Sequence, residues 1–400
     1  MIPLEGIVVL DCSTTLAGAM CSLQLADAGA DVYRIDIAGS NPGLGGADGN
    51  PALDHLLHRG KKSVALDLNT ETGRRIFLKM SESADVIIEE TAHCPHADSP
   101  YRADTDEMLA ANPRLIHCVI GPWPSGSPST PWLTELEIQG LAAQMAFMGS
   151  LGDEPVRCGT DIGLVASALY ASVGITSALW AREFTGAGQR VDISTVSAIL
   201  SVSSHWLADF SDPDEYVGGN TSPYSGPDHG YECRDGRAIF GFVGRRVDRK
   251  DPWQALCAAL GLEELLDDEY LREHGSGIVG GGTDALLWRP IIEGRTKEID
   301  AEDLMDIVQE IGGAGAPIYS YDQLFTENPH PQVEAIRVLR DVDSGEQRRR
   351  GVVAPWVNDL NPEAGQQAAP TFGADTDAAL ARFGITQDEI DRARKERVVP

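Results

Sequence analysis

Residues 7–36, IVVLDCSTTLAGAMCSLQLADAGADVYRID, read as strand, helix, strand. Ile7 to Leu10 is a continuous apolar run closed by Asp11, and Asp31 to Asp36 carries Val32, Tyr33 and Ile35. The helical stretch between them, 17–29, stops at Gly29. Apolar continuity, in place of strict alternation, marks strands covered on both faces. The unit recurs downstream. A helix over about 70–82 leads into Asp85-Val86-Ile87-Ile88-Glu89, and another over about 104–111 into Leu115-Ile116-His117-Cys118-Val119-Ile120. Two long helical stretches, about 161–184 and 196–209, flank the short strand Arg190-Val191-Asp192-Ile193. This alternation predicts an α/β fold with a doubly wound, mostly parallel sheet.

Asp212-Pro213-Asp214 and Gly218-Gly219-Asn220 break the pattern, which predicts a domain boundary near 210–220. Short strands over 231–242 and helices over 252–261 and 301–311 then predict a smaller α+β domain. Gly275 to Gly282 reads as a mobile loop. The tail from about 370 carries Phe372-Gly373 and two helical patterns split by Gly384. The expected organisation is a large domain from 1–200 plus 330–400 and a small one over 220–325.

The chain has 400 residues and a formal charge of −29. Such a balance argues against nucleic acid or an anionic membrane as partner, since both require a basic face. An anionic ligand would need the few cations gathered around it. The seven cysteines are odd in number, scattered and without a C-x-x-C pair. They predict reduced thiols and a cytoplasmic location. Met1-Ile2-Pro3-Leu4-Glu5 has no basic segment followed by an apolar run, so no signal peptide is expected. Residues 162–181 are uncharged and long enough to span a bilayer. Their Ala, Ser and Gly content and the bracketing Asp161 and Arg182 predict a helix packed in a protein core instead.

The sequence lacks G-x-G-x-x-G after the first strand, the P-loop pattern and a G-x-S-x-G elbow. His93-Cys94-x-His96 with Asp98 has no second ligand pair, and no metal site is expected. What remains is Asp161, where Arg157-Cys158-Gly159-Thr160 enters the long apolar helix. A carboxylate there is expected to be stabilised by the free N–H groups of the helix start, and a plain helix cap is the simplest local reading.

The wider pattern resembles the class III CoA-transferases, the family of formyl-CoA transferase, carnitine CoA-transferase and the α-methylacyl-CoA racemases. It begins with Pro3-Leu4-Glu5-Gly6-Ile7-x-Val9-Leu10-Asp11, Leu16-Ala17-Gly18 and Leu25-Ala26-Asp27-x-Gly29-Ala30-Asp31-Val32. It continues through Arg59-Gly60-Lys61-Lys62-Ser63-Val64-Ala65-Leu66-Asp67-Leu68, Ala84 to Glu89 and Asn112-Pro113-Arg114-Leu115-Ile116. Thr185-Gly186-x-Gly188-Gln189-x-Val191-Asp192, Ala316-Pro317-Ile318 and Gly373-x-x-Thr376-Asp377-x-x-Leu380 complete it. The order and spacing make it specific.

The resemblance implies a Rossmann-like large domain and an interlocked homodimer, with a heteromer of related chains as the other possibility. It implies CoA transfer from an acyl-CoA to a carboxylic acid, with coenzyme A as substrate and no permanently bound cofactor. Asp161 matches the catalytic aspartate, whose carboxylate forms an anhydride and then an aspartyl-CoA thioester. Glu135 matches an acidic position that orders the site. Ala17, Arg34, Arg59 and Lys61 are the candidates for contacting CoA, and binding of its phosphates would rest on Arg34, Arg59, Lys61 or Lys62. Racemase members carry a histidine where this chain has Thr134, and a hydroxyl cannot accept a proton near neutral pH. The usual aromatic-Arg-Pro-Gly after the third strand is replaced by Thr91-Ala92-His93-Cys94, and Ile37 stands where an arginine or proline is frequent. The glycine-rich lid of formyl-CoA transferase is partly matched by Gly218-Gly219-Asn220 and Ser222 to Gly226. Two other readings stay open: a racemase or isomerase, and a CoA-binding subunit of a larger complex.

Overall fold

A computed structural model describes residues 2–37, 51–91, 105–124, 127, 133–147, 154–204, 230–242, 252–279, 285–320, 323, 339–343, 348–352 and 368–400. The chain divides into two units. The first comprises Met1–Ala142, Cys158–Ser204 and Glu334–Pro400, the second Ala143–Arg157 and His205–Val333. Residues 143–157 thus fall to the second unit, although the sequence reading leaves them in the first.

The first unit is built on β1 (Val8–Cys12), α1 (Leu16–Asp27), β2 (Asp31–Asp36), α2 (Pro51–Leu57), β3 (Lys62–Ala65), α3 (Glu71–Ser81) and β4 (Val86–Glu90). It continues with α4 (Thr105–Ala111), β5 (Ile116–Gly121), α5 (Glu135–Leu141), α6 (Ile162–Thr185), β6 (Gln189–Ser194) and α7 (Thr195–Val202). Six parallel strands pair in the order β3-β2-β1-β4-β5-β6. This is the doubly wound order, in which the winding reverses between β1 and β4, and ligands of such sheets sit outside the strand C-termini at that point. β1, β4 and β5 are buried throughout, as their unbroken apolar runs require.

The sheet is covered on both faces. α1 and α6 pack over one, with Ala17, Cys21, Leu25, Ala168, Ala171, Ile175 and Ala178 against Val9, Val32, Val86, Ile88 and Ile116. Small residues along both helices bring them close. The other face carries Leu10, Ile35, Ile87 and Leu115 under Ile76, Phe77 and Met108 and the tail residues Leu380, Ile390 and Val398. Because each helix returns the chain from the end of one strand to the start of the next, α1 and α6 both begin at the C-terminal edge of the sheet.

The second unit contains β7 (Tyr231–Glu232), β8 (Arg237–Gly241), α8 (Pro252–Leu260), α9 (Glu269–Val279), α10 (Ala285–Thr296), α11 (Ala301–Glu310) and β9 (Ala314–Pro317). Its three strands pair antiparallel around Trp253, Leu256, Leu304 and Val308. The expected loop from Gly275 is corrected here: α9 runs through Gly275 and Gly277 to Val279. A Cβ at Gly275 would come within 2.3 Å of the Trp253 indole, so the glycine serves packing, with no break in the helix. Gly280 to Gly282, the 212–226 motifs and the 92–98 stretch lie outside the described residues.

After the hairpin β10 (Leu339–Asp343) and β11 (Arg348–Val352), the chain ends in α12 (Thr376–Arg382) and α13 (Gln387–Lys395). This tail is fastened to the edge strand β3. Ser63 N–H donates to the Asp375 carboxylate at 2.8 Å, Gly373 N–H to Ser63 Oγ at 2.7 Å and Ala65 N–H to Thr376 Oγ1 at 3.0 Å. Backbone groups that an exposed edge would leave unpaired are thereby satisfied.

Candidate active site

Asp161 occupies the N-cap position of α6, half-buried, at the sheet edge where α1 also starts. Its carbonyl accepts from Val165 N–H at 2.9 Å, but its side chain makes no capping bond. The expectation that the helix N–H groups stabilise Asp161 is corrected by Glu135. That side chain, 7% exposed at the first position of α5, accepts from Gly163 N–H at 2.8 Å through Oε1 and from Leu164 N–H at 3.0 Å through Oε2. These two donors belong to the group that every helix start leaves without an internal partner. A carboxylate from another helix therefore caps α6. Gly163 admits it, since a Cβ there would lie 3.0 Å from Glu135 Oε2 and 2.9 Å from Ile138 Cγ2.

Gln139, one turn beyond Glu135 and fully buried, completes the arrangement. Its Nε2 donates to Glu135 Oε1 at 2.9 Å and to the Thr160 carbonyl at 3.1 Å, while Oε1 accepts from Cys158 N–H at 2.9 Å. Sequence reasoning assigned Gln139 no role. The available signal was the i, i+4 spacing of two long polar side chains on the inner face of one helix turn. Thr134 is the N-cap of α5, where the Glu137 carboxylate accepts from its N–H at 2.8 Å and from its hydroxyl. This is a capping box, so the hydroxyl is spent on the helix start.

A second carboxylate was also missed. Glu90, at the end of β4 and 5% exposed, fills the start of α1. It accepts from Thr14 N–H at 2.6 Å, Thr15 N–H at 2.7 Å and Gly18 N–H at 2.8 Å, and from both threonine hydroxyls. A helix start at this switch point commonly holds a ligand phosphate; here a built-in anion occupies those donors. Ala17 lies in that first turn, fully buried, its N–H donating to Thr15 Oγ1 at 3.2 Å.

Of the cations assigned to phosphate, Lys62 is part-exposed and pairs with Asp31 at 2.6 Å, and the other three have partners inside the protein. Lys61 donates to Asp11 Oδ2 and the Ala19 carbonyl at 2.9 Å and to Ser22 Oγ at 2.7 Å, with His58 Nδ1 at 3.2 Å. Arg59 holds Asp27 at 2.7 Å and the Leu56 carbonyl at 2.9 Å. Arg34 holds Asp36 at 2.8 Å. Burial weakens ionisation in these pairs: it pushes the Asp27 and Asp36 carboxyls up despite their arginines. Asp11 goes the other way. Burial opposes its charge, but Lys61 and then His58, Ser13 and Ser22 draw it down to about 2. Meeting CoA phosphates with any of the three would require breaking an internal ion pair.

Comparison with known proteins settles the family. The model of CoA-transferase family III matches residues 4–376. The chain belongs to CoA-transferase family III. This family III CoA-transferase is 26% identical over 399 residues to the succinate–glutarate CoA-transferase of Agrobacterium fabrum, covering 95% of this chain and 96% of that one. It is 29% identical over 359 residues to the succinyl-CoA:mesaconate CoA-transferase of Haloarcula hispanica, covering 85% of each. Among solved structures, a CAIB/BAIF family protein from Brucella suis superposes with a TM-score of 0.77 at 25% identity, covering 95% of this chain and 99% of that one. The family III CoA-transferase therefore combines a doubly wound sheet with an acid-rich edge at which Asp161 stands.

Proposed function

We propose that the protein transfers coenzyme A between carboxylic acids, with Asp161 as nucleophile. The observation that carries this reading is the Glu135 carboxylate on Gly163 and Leu164, which relieves the N-cap residue of capping while holding it at the helix start. The Asp161 carboxylate attacks the donor thioester carbonyl, forming an acyl-aspartyl anhydride and expelling CoA thiolate. The thiolate attacks the aspartyl carbonyl, giving an aspartyl-CoA thioester and the free donor acid. The acceptor carboxylate attacks that thioester, and the released thiolate then takes the acceptor acyl group, regenerating Asp161. A carboxylate suits this exchange because an anhydride retains the activation of the thioester. Water must stay out while the anhydride exists. The relatives named for succinate, glutarate and mesaconate put dicarboxylic acids first among donors and acceptors to test. The reading needs no resident metal or redox cofactor and includes work in the cytoplasm.

The same reading includes an interlocked homodimer. One side of α6 exposes Val173, Trp180 and Phe184 at 61%, 69% and 73%. Trp180 and Phe184 pack edge to face at 5.1 Å. Exposed apolar residues along one helix of a chain charged −29 suit a second copy better than an anionic bilayer. Sedimentation should give a dimer at micromolar concentration; a stable folded monomer there sinks this part.

The deciding experiment is a mass-spectrometric screen of acyl-CoA donors against dicarboxylic acids. Hydroxylamine trapping of the reacting enzyme should place a hydroxamate on Asp161, and Asp161→Ala should lose on the order of 10⁴-fold in exchange rate. An Asp161→Ala enzyme that exchanges CoA at full rate removes this mechanism.

A further inference from the structure

We infer that Gln139 is a positioning residue for the Asp161 carboxylate, holding the turn that carries it. This inference rests on the proposed role of Asp161. The chain enters Asp161 through Cys158, Gly159 and Thr160, and the fully buried Gln139 grips that turn at both ends. It accepts from Cys158 N–H at 2.9 Å and donates to the Thr160 carbonyl at 3.1 Å, while its remaining N–H ties the turn to Glu135 at 2.9 Å. The three bonds require one acceptor and two donors in a single planar group. Only a primary carboxamide supplies them: a carboxylate lacks donors, an ammonium lacks an acceptor and an alkyl chain has neither. Gly159 lies between the two held groups, and a Cβ added there would meet nothing within 4 Å, so that side of the turn faces open space. Glu135 meanwhile fixes the first turn of α6. The carboxylate of Asp161 is thus located from both sides by two residues of α5, one on the turn before it and one on the helix after it.

Displacing a nucleophile by about an ångström costs on the order of 10²-fold in rate. Gln139→Met keeps the volume and removes all three hydrogen bonds. It is expected to lower kcat for CoA exchange, and the rate of Asp161 hydroxamate formation, by about 10²-fold while leaving the KM for acyl-CoA near the wild-type value. Gln139→Glu sets a second carboxyl against Glu135. Two carboxylates in contact cannot both ionise freely, and a proton shared between them restores one donor. The kcat of Gln139→Glu should therefore rise as pH falls, in a limb absent from the wild-type profile. A purely structural glutamine predicts another pattern: a lower melting temperature with unchanged kcat per folded enzyme and no new limb. That result, or wild-type trapping rates in Gln139→Met, overturns the inference. If Gln139→Met does not fold, the pH profile of Gln139→Glu decides alone. A wild-type enzyme that exchanges CoA without labelling at Asp161 overturns the mechanism and this inference together. Labelling at Asp161 with an indifferent Gln139 overturns the inference only.

Discussion

The starts of α1 and α6 lie on the same edge of the sheet, and each is capped by a carboxylate brought from another element. At α1, Glu90 takes three backbone N–H groups and two hydroxyls, and the helix's own N-cap, Thr15, also bonds inward to Ala17. At α6, Glu135 takes two N–H groups, and the N-cap residue Asp161 makes no capping bond. Both approaches run over a glycine, Gly18 in one and Gly163 in the other. The supports beneath them differ in kind. Under α1 lies an ionic network of Asp11, Lys61, Ser22 and His58, whereas the α6 turn is held by the neutral amide of Gln139. A foreign cap can work beside the helix's own N-cap, as at α1, or take over capping from the N-cap residue, as at α6.

The largest effect should come from Glu90→Ala. It strands three N–H groups near the protein interior and is expected to cost on the order of 3–5 kcal/mol in chemical denaturation, with kcat of the folded fraction kept. A large fall in kcat with stability intact would break the contrast. Glu135→Ala should cost less stability, roughly 2–3 kcal/mol, yet lower kcat by about 10²-fold. If its kcat is unaffected, the two caps are equivalent and α6 is merely another capped helix.

The glycines sharpen the same contrast. At Gly18 a new Cβ would lie 2.4 Å from Ser13 Cβ, an atom tied to the backbone. At Gly163 the nearest atom is Ile138 Cγ2 at 2.9 Å, the end of a side chain. Gly18→Ala should therefore destabilise by about 2–3 kcal/mol and Gly163→Ala by about 1 kcal/mol, with only the second lowering kcat. Equal losses of kcat would blur the distinction.

The last effect is a pH dependence on the α1 side. Burial, then Lys61 and Arg34, hold His58 well below its ordinary 6.5. The unfolded chain takes up that proton first, so stability falls as pH drops below 6.5, and His58→Gln should flatten this slope. Asp11 is ionised more readily in the folded state. Its contribution, about 2 kcal/mol, is present above its ordinary 3.8 and is lost as pH falls toward about 2. Denaturation curves collected across this range test both. A His58→Gln slope identical to wild type would remove His58 from the account.

How much of this was legible beforehand depended on the range of the interaction. The apolar runs 7–10, 86–88 and 115–120 marked β1, β4 and β5, because strands covered on both faces must be apolar throughout. The family motifs brought Asp161 and Glu135 forward as a pair. Arg34, Arg59 and Lys61 were visible as cations, but their carboxylate partners Asp36, Asp27 and Asp11 acquire meaning only when β1, β2, α1 and β3 come together. Glu90 lies one residue past the strand expected over 85–89, and nothing local connects it to Thr14, some 76 positions away. Gly275 read as a breaker because the Trp253 ring that requires it lies on another helix.

By itself, then, the sequence determined the alternation of strands and helices, the doubly wound class and the residue at the start of α6, all of which follow from spacing along the chain. The tertiary structure alone decided which carboxylate caps which helix, which cations are spent inside, and that Gln139 reaches both ends of the turn before Asp161. The physical reason is that hydrogen-bond satisfaction in the interior is a matter of position in space. A donor left unpaired by its own helix can be met by any acceptor the fold delivers, and separation in sequence places no limit on which one that is.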